Sequence, residues 1–273
     1  MQCIITALGL ESENFISFYR LERENFFNFP VFKNSDIMLV QTGVGKANIE
    51  SRLKAVYSLS EGYDKFQFIN IGIAGGNPEK TSIGECHIIN KIKDSETGET
   101  YYPDILVDHK MSEASIITVN EPITKGAGSY LELVDMEASE IFRVCKDLVP
   151  IQRMAFIKIV SDYMDLDQGN IKKNFILDLV YSRLNVISKF LVGFNKLLLS
   201  ENSILNHKDN IWISNLVDKW KLTKTQKSQL EDLLKYIRIN HSIDFFPQIS
   251  DIIPKEKSKR NKLFNELFEK HSA

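Results

Sequence analysis

Along roughly the first two hundred positions, short apolar runs alternate with stretches in which apolar residues recur every three or four. CIIT (3–6), IMLVQT (37–42), FQFINI (66–71), CHIINKI (86–92), SIITV (115–119), LVDM (133–136) and AFIKIVS (155–161) predict strands. Several are apolar throughout, as strands covered on both faces are. Ile49, Leu53, Val56 and Tyr57 fall at helical spacing after a loop at Gly43 to Lys46, and Ile141, Val144 and Cys145 do so after Met136. Each predicts a helix that starts just after a strand. From Ile171 to Leu199 the residues Phe175, Leu179, Leu184, Ile187, Leu191 and Leu198 form one amphipathic stripe, a long closing helix with a candidate kink at Gly193. This order of elements is that of an α/β layered sheet.

Beyond about residue 200 the pattern changes. Thr223 and Gln226 form a ThrxxGln capping signal ahead of a helix carrying Leu230, Leu233, Leu234, Ile237 and Ile239. Leu263, Phe264, Leu267 and Phe268 predict another after the basic run KEKSKR (255–260), and Ile211, Trp212, Leu216 and Trp220 add apolar surface. All 13 glycines lie at or before Gly193, and both tryptophans come later. Residues 1–200 hold 21 basic and 26 acidic side chains, residues 201–273 hold 13 and 10, so the sign of the charge reverses. A boundary near Ser200 is expected, with an α/β domain over 1–199 and an all-α extension over 200–273.

Composition narrows the function classes. A chain of 273 residues with 43% hydrophobic and 26% charged residues can bury a substantial core, which excludes a disordered chain. The net charge of −2 does not suggest a nucleic-acid binder. The KEKSKR run has interspersed acids and no accompanying groove-reading pattern, so it reads as a solvated helix face or a protein contact for the C-terminal helices. No apolar run approaches the ~18 residues that cross a bilayer, and Met1 is followed by Gln2 and Cys3; no membrane association and a cytoplasmic location are expected. Cys3, Cys86 and Cys145 lie far apart in apolar settings and read as reduced, buried residues. His87 sits in an apolar strand, and His109, His207, His241 and His271 are scattered in polar settings. No ligand-like spacing appears, and no metal or other cofactor is expected.

Candidate chemistry lies where strands end. In VQTGVGKAN (40–48) and NIGIAGGNP (70–78) the glycines permit positive φ and close backbone approach to a ligand, although tight turns of an α/β sheet would use them too. A Walker loop is excluded, because Val40 stands five residues before the GK pair and Ala47 follows it; neither loop matches GxGxxG. Three acids sit beside these loops: Glu11 in TALGLESE (6–13), Glu137 in LVDMEASE (133–140) and Asp162 in IKIVSDYMD (157–165). In open α/β sheets ligands gather at the carboxyl ends of strands. Carboxylates converging there suit chemistry on a sugar, since cleaving a glycosidic bond needs an acid for the leaving group and a base for the nucleophile.

The chain resembles the nucleoside phosphorylase and nucleosidase superfamily, most closely the methylthioadenosine/S-adenosylhomocysteine nucleosidases. ALGLE, QTGVGKAN, INIGIAGG followed by SIGECHII, VDMEAS and IVSD carry the resemblance, in family order, over about residues 2–199. It implies a three-layer α/β/α fold with a twisted mixed sheet, a homo-oligomer and a small-molecule nucleoside substrate. It also implies that Glu11 activates water for attack at the ribose anomeric carbon. Glu137 would grip the ribose hydroxyls over Met136, and Asp162, oriented by Ser161, would protonate purine N7. Thr42, Gly43 and Val44, with Gly72, Gly75 and Gly76, would frame the sugar, while Val119 and Asn120 would lie beside the base.

Phosphorylases of this superfamily neutralise phosphate with arginines. Here Asn70 and Ile71 precede the strand-end glycine, and Glu11 lies where another such arginine is expected. A carboxylate repels phosphate and can take a proton from water, so hydrolysis is the expected reaction. Arg20, Arg23, Arg52 and Arg143, reaching a site across a subunit contact, keep phosphorolysis as the alternative, and a non-catalytic nucleoside sensor is a third reading. The chain departs from the nucleosidases at Ile73, where they carry serine, and at TVNEPITKG (118–126), where Pro122 stands near their base-stacking aromatic. The stretch from Asp94 to Ser112 is short, and its Tyr101 and Tyr102 are not bound to line a thioalkyl pocket. A purine nucleoside or related N-ribosyl compound is therefore the expected substrate class.

Overall fold

The computed structural model describes residues 1–58, 66–125, 128–165, 173–200, 205, 207–240, 245–247, 249, 254 and 256–269. Gly126, Ile171, His241, Lys255 and His271, named above, lie outside them. The chain divides into two compact units, Met1–Leu198 and Leu199–Ala273.

The first unit runs β1 (Gln2–Thr6), α1 (Gly9–Tyr19), β2 (Glu22–Arg23), β3 (Val31–Lys33), β4 (Ile37–Gln41) and α2 (Ile49–Ser58). It continues through β5 (Gln67–Gly75), β6 (Cys86–Asp94), β7 (Thr100–Tyr101), β8 (Ser112–Thr118), β9 (Leu133–Asp135) and α3 (Ala138–Cys145). β10 (Met154–Asp162) and the long α4 (Lys173–Ser200) follow. All the strands join one mixed sheet. Its parallel centre is β4-β1-β5-β10; β10 pairs antiparallel with β6, and β8 and β9 then lead back to β5 through Gly75 and Val134.

Strand periodicity explains why the central strands are apolar throughout. Cys3 and Ile5 join one core with Leu53 and Val56 of α2 and Ile141 and Val144 of α3, whereas Ile4 between them joins another with Phe15 of α1 and Ile187 of α4. β10 divides likewise, with Phe156 and Val160 on one face and Ile157 and Ile159 on the other. Helices therefore cover both faces of the sheet, giving the expected three layers. The three cysteines are buried and free, and His87 is buried in β6. No described helix is long and apolar enough to cross a membrane.

The second unit holds α5 (His207–Trp220), α6 (Lys224–Asn240) and α7 (Lys257–Glu269) around its own core, which includes Leu216, Trp220, Leu230, Leu234, Ile237 and Phe264. The capping signal forms: Gln226 N–H donates to Thr223 Oγ1 at 3.3 Å, and Thr223 N–H to Gln226 Oε1 at 3.1 Å. Arg238 and Asp209, 3% and 0% exposed, pair at 2.6 Å and tie α6 to α5. Ile239, expected on the buried stripe, is 69% exposed, because it lies two residues past Ile237 and so off the i+3, i+4 series.

Candidate active site

The parallel strands β1, β4, β5 and β10 end on the same side of the sheet, and a cleft opens there. Glu11 lies in its wall at the third position of α1, a helix that the strand-and-loop pattern around TALGLESE did not foretell. From there it reaches back over the helix start. Oε2 accepts from Ala7 N–H and Leu8 N–H, both at 2.8 Å, and Oε1 accepts from Ile73 N–H at 2.9 Å. The approach is close: a Cβ on Gly72 would stand 3.0 Å from Glu11 Oε1, tighter than an ordinary contact.

Glu137 sits between β9 and α3 and accepts from Gly45 N–H at 2.7 Å. The loop delivering that N–H holds Gly43 and Gly45 at φ of 81° and 76°. Asp162 ends β10 where its register with β5 shifts between Val160 and Asp162. That irregularity breaks the strand alternation and lets both Ser161 and Asp162 face the cleft. Ser161 donates to Asp162 Oδ2 at 2.7 Å and Met164 N–H to Oδ1 at 2.8 Å. Met164 adopts a left-handed backbone at φ 58°.

One cleft thus brings together Glu11, Glu137 and Asp162 with Val44, Gly75, Val119, Met136 and Ser161. Five other residues expected at the ligand, Gly76 among them, do not line it. Thr42 is buried with its hydroxyl on Thr6 C=O, Gly43 N–H is held on Ala7 C=O, and Gly72 lies against the Glu11 carboxylate. Asn120 points outward and bonds Glu96 at 2.8 Å. Tyr101 stacks on Phe142 at 4.7 Å between ring centroids, and Tyr102 is 63% exposed, so neither lines the cleft. Ile73, Pro122 and Ile123 do. Val119, Val134 and Met164 form a small apolar cluster against which Ile123 and Met136 pack, giving the cleft an aliphatic side.

Two functional neighbours were missed. Lys158 is 1% exposed and bonds Asp135 Oδ2 at 2.7 Å; Asp135 also accepts from Ala138 N–H at 2.9 Å and shares a bond with Thr118 Oγ1 at 2.7 Å. Burial opposes the charge on Lys158, but Asp135, Glu137 and Glu11 outweigh it and hold its pKa up. Burial raises the Glu11 carboxyl, against the pull of the Leu8, Ile73 and Ala7 N–H groups and Lys158. Burial and the neighbouring Asp135 push Glu137 up to about 7, opposed by Lys158 and Gly45 N–H.

The Glu137 shift fixes a sign. A carboxyl raised by folding contributes stability below its ordinary pKa of about 4.3, and that contribution is lost as pH rises through its folded value. Wild-type protein should therefore lose stability between about pH 5 and pH 8, and Glu137→Gln should lose less over that range. Melting temperatures of both proteins across that range check this; parallel curves would contradict it.

No protein-family model matches the chain, and no curated protein matches it. Among solved structures, it is similar to a variant of the MTAN of Chlamydia trachomatis bound to MTA: 21% identity over 71% of this chain and 98% of that one, TM-score 0.55. It is similar to the methylthioadenosine/S-adenosylhomocysteine nucleosidase of S. pneumoniae with a transition-state inhibitor at 17% identity, covering 71% and 99%, TM-score 0.58. The corresponding nucleosidase of Helicobacter pylori gives 13% identity, 70% and 97% coverage and a TM-score of 0.57. The C-terminal helices fall in the uncovered part, and the rest of the chain has the nucleoside phosphorylase/nucleosidase fold.

Proposed function

We propose that the chain hydrolyses the N-glycosidic bond of a purine nucleoside or a related N-ribosyl compound. The meeting of Glu11, Glu137 and Asp162 in one cleft carries this reading. Glu11, its carboxyl made more basic by burial, takes a proton from water attacking the anomeric carbon. Glu137, ionised above about pH 7, accepts bonds from the ribose hydroxyls, and these strengthen as positive charge grows on the sugar. Asp162 passes a proton to N7, so the base departs neutral. The aliphatic residues Val119, Ile123 and Met164 take the flat faces of the heterocycle.

Water rather than phosphate fits this charge distribution. Among the described residues no arginine lines the cleft, while Glu11, Asp135, Glu137 and Asp162 do. Lys158 is already bonded to Asp135. Arg52 bonds Gln41 C=O at 2.7 Å, and Arg143 bonds Glu50 and Glu140 at 2.8 and 2.7 Å. A phosphate dianion in the cleft would face four carboxylates.

Release of free base from a panel of purine nucleosides, with and without inorganic phosphate, tests the reading. Equal release in both conditions is expected. Strict dependence on phosphate would establish a phosphorylase, and binding without release would establish a sensor.

A further inference from the structure

The 42–48 loop donates to Glu137 through Gly45 N–H at 2.7 Å, yet little packing holds its tip. Gly43 and Gly45 both adopt left-handed backbone, a Cβ on Gly45 would meet nothing within 4 Å, and Val44 is 46% exposed. The loop's base is fixed to the end of β1, with Thr42 N–H on Thr6 C=O at 2.8 Å and Gly43 N–H on Ala7 C=O at 3.1 Å. The tip is held elsewhere. Lys46 Nζ donates to Asp94 Oδ2 at 2.7 Å, and Glu96 lies 3.9 Å from the same ammonium.

Asp94 is a firm anchor. Oδ1 accepts from Glu96 N–H and Thr97 N–H, each at 3.0 Å, and Oδ2 also accepts from Ser139 Oγ at 2.6 Å. Burial opposes its charge, but Lys46, Ser139 and the two amides overcome that and hold its carboxyl well below the usual range. Ser139 stands two residues beyond Glu137, in the first turn of α3, and its own N–H is fixed on Thr118 Oγ1 at 3.0 Å. The dipeptide Gly45-Lys46 is therefore attached to the segment 137–139 at both ends, directly through Glu137 and by way of Asp94 through Ser139.

We propose that Lys46 is a positioning residue, whose bond to Asp94 holds the glycine loop so that Gly45 N–H stays on the Glu137 carboxylate. The proposal deepens the nucleosidase reading and rests on it for the role of Glu137. Without this tether the loop samples the wide backbone range open to its glycines, and Glu137 loses an N–H that favours its ionised form. The other charges facing Glu137 are Asp135, Lys158 and Glu11, and they stay in place.

The test is Lys46→Met in the full chain, with Lys46→Arg as the conservative variant. In Lys46→Met the acid limb of kcat/KM should move to higher pH by roughly one unit, and kcat/KM at pH 7 should fall by about tenfold or more, the scale of one hydrogen bond to a charged group. Lys46→Arg should restore most of both. Nuclear magnetic resonance titration of the Glu137 carboxyl in the free proteins reads the same tether without turnover. An unmoved Glu137 titration in Lys46→Met would overturn the inference, even if activity fell. Absence of base release by the wild type would instead overturn the nucleosidase reading, with the titration still deciding the role of Lys46.

Discussion

Asp162→Asn should lower kcat for a purine nucleoside by about 10²–10⁴-fold, the usual worth of a positioned proton donor, while melting temperature and KM change little. The expectation follows from how Asp162 is held. Its Oδ1 accepts from Met164 N–H and its Oδ2 from Ser161 Oγ, whose hydroxyl can turn to accept from an amide instead. The asparagine keeps its place, but it has no acidic proton for N7. The side chain is only partly buried, so little folding energy is at stake. Steady-state kinetics beside a thermal melt separates the two effects, and an unchanged kcat would move the proton donor elsewhere.

Lys158→Met should destabilise the first unit by about 3–5 kcal/mol at neutral pH. Methionine replaces the lysine stem well, so the loss is electrostatic rather than one of packing. Buried Asp135 keeps its bonds to Ala138 N–H and Thr118 but loses the ammonium, and Glu137 and Glu11 lose the same neighbour. Glu137 and Glu11 should then be harder to ionise in the folded protein, so the deficit should shrink as pH falls and they take up protons. Adding Asp135→Asn should recover part of the stability, because a neutral pair replaces the stranded charge. Urea denaturation of both variants at two pH values measures this. A deficit independent of pH would contradict it.

The fold was legible where burial on both faces made strands predominantly apolar, as in β1 and β10, and where a helix was long enough to show its stripe, as in α4. It was illegible where elements are too short for a period. β2 and β7 have two residues each and β3 has three, and their exposure is mixed. α1 was hidden by its polar start, GLESE, although a glutamate at the third helical position is the kind that reaches back to cap it.

At the site, the three acids could be found because they stand at or just beyond strand ends and lie in motifs whose order is recognisable. Lys158 could not, since a lone lysine in FIKIV reads as a solvent-facing residue of an edge strand. One physical signal was available: Ile157 and Ile159 on one face and Phe156 and Val160 on the other leave no wet side for its ammonium. A buried acid such as Asp135 was required. The Asp94 anchor depends on Lys46 and Ser139 from distant segments, which no local pattern records.

These acids are expected to deliver water to a ribose as its base leaves. Turnover of a purine nucleoside in water enriched in heavy oxygen, followed by mass spectrometry of the products, tests it most directly. One heavy oxygen is expected on the anomeric carbon of the released ribose and none on the base. Release of ribose 1-phosphate, or heavy oxygen on the base with the sugar unlabelled, would contradict it.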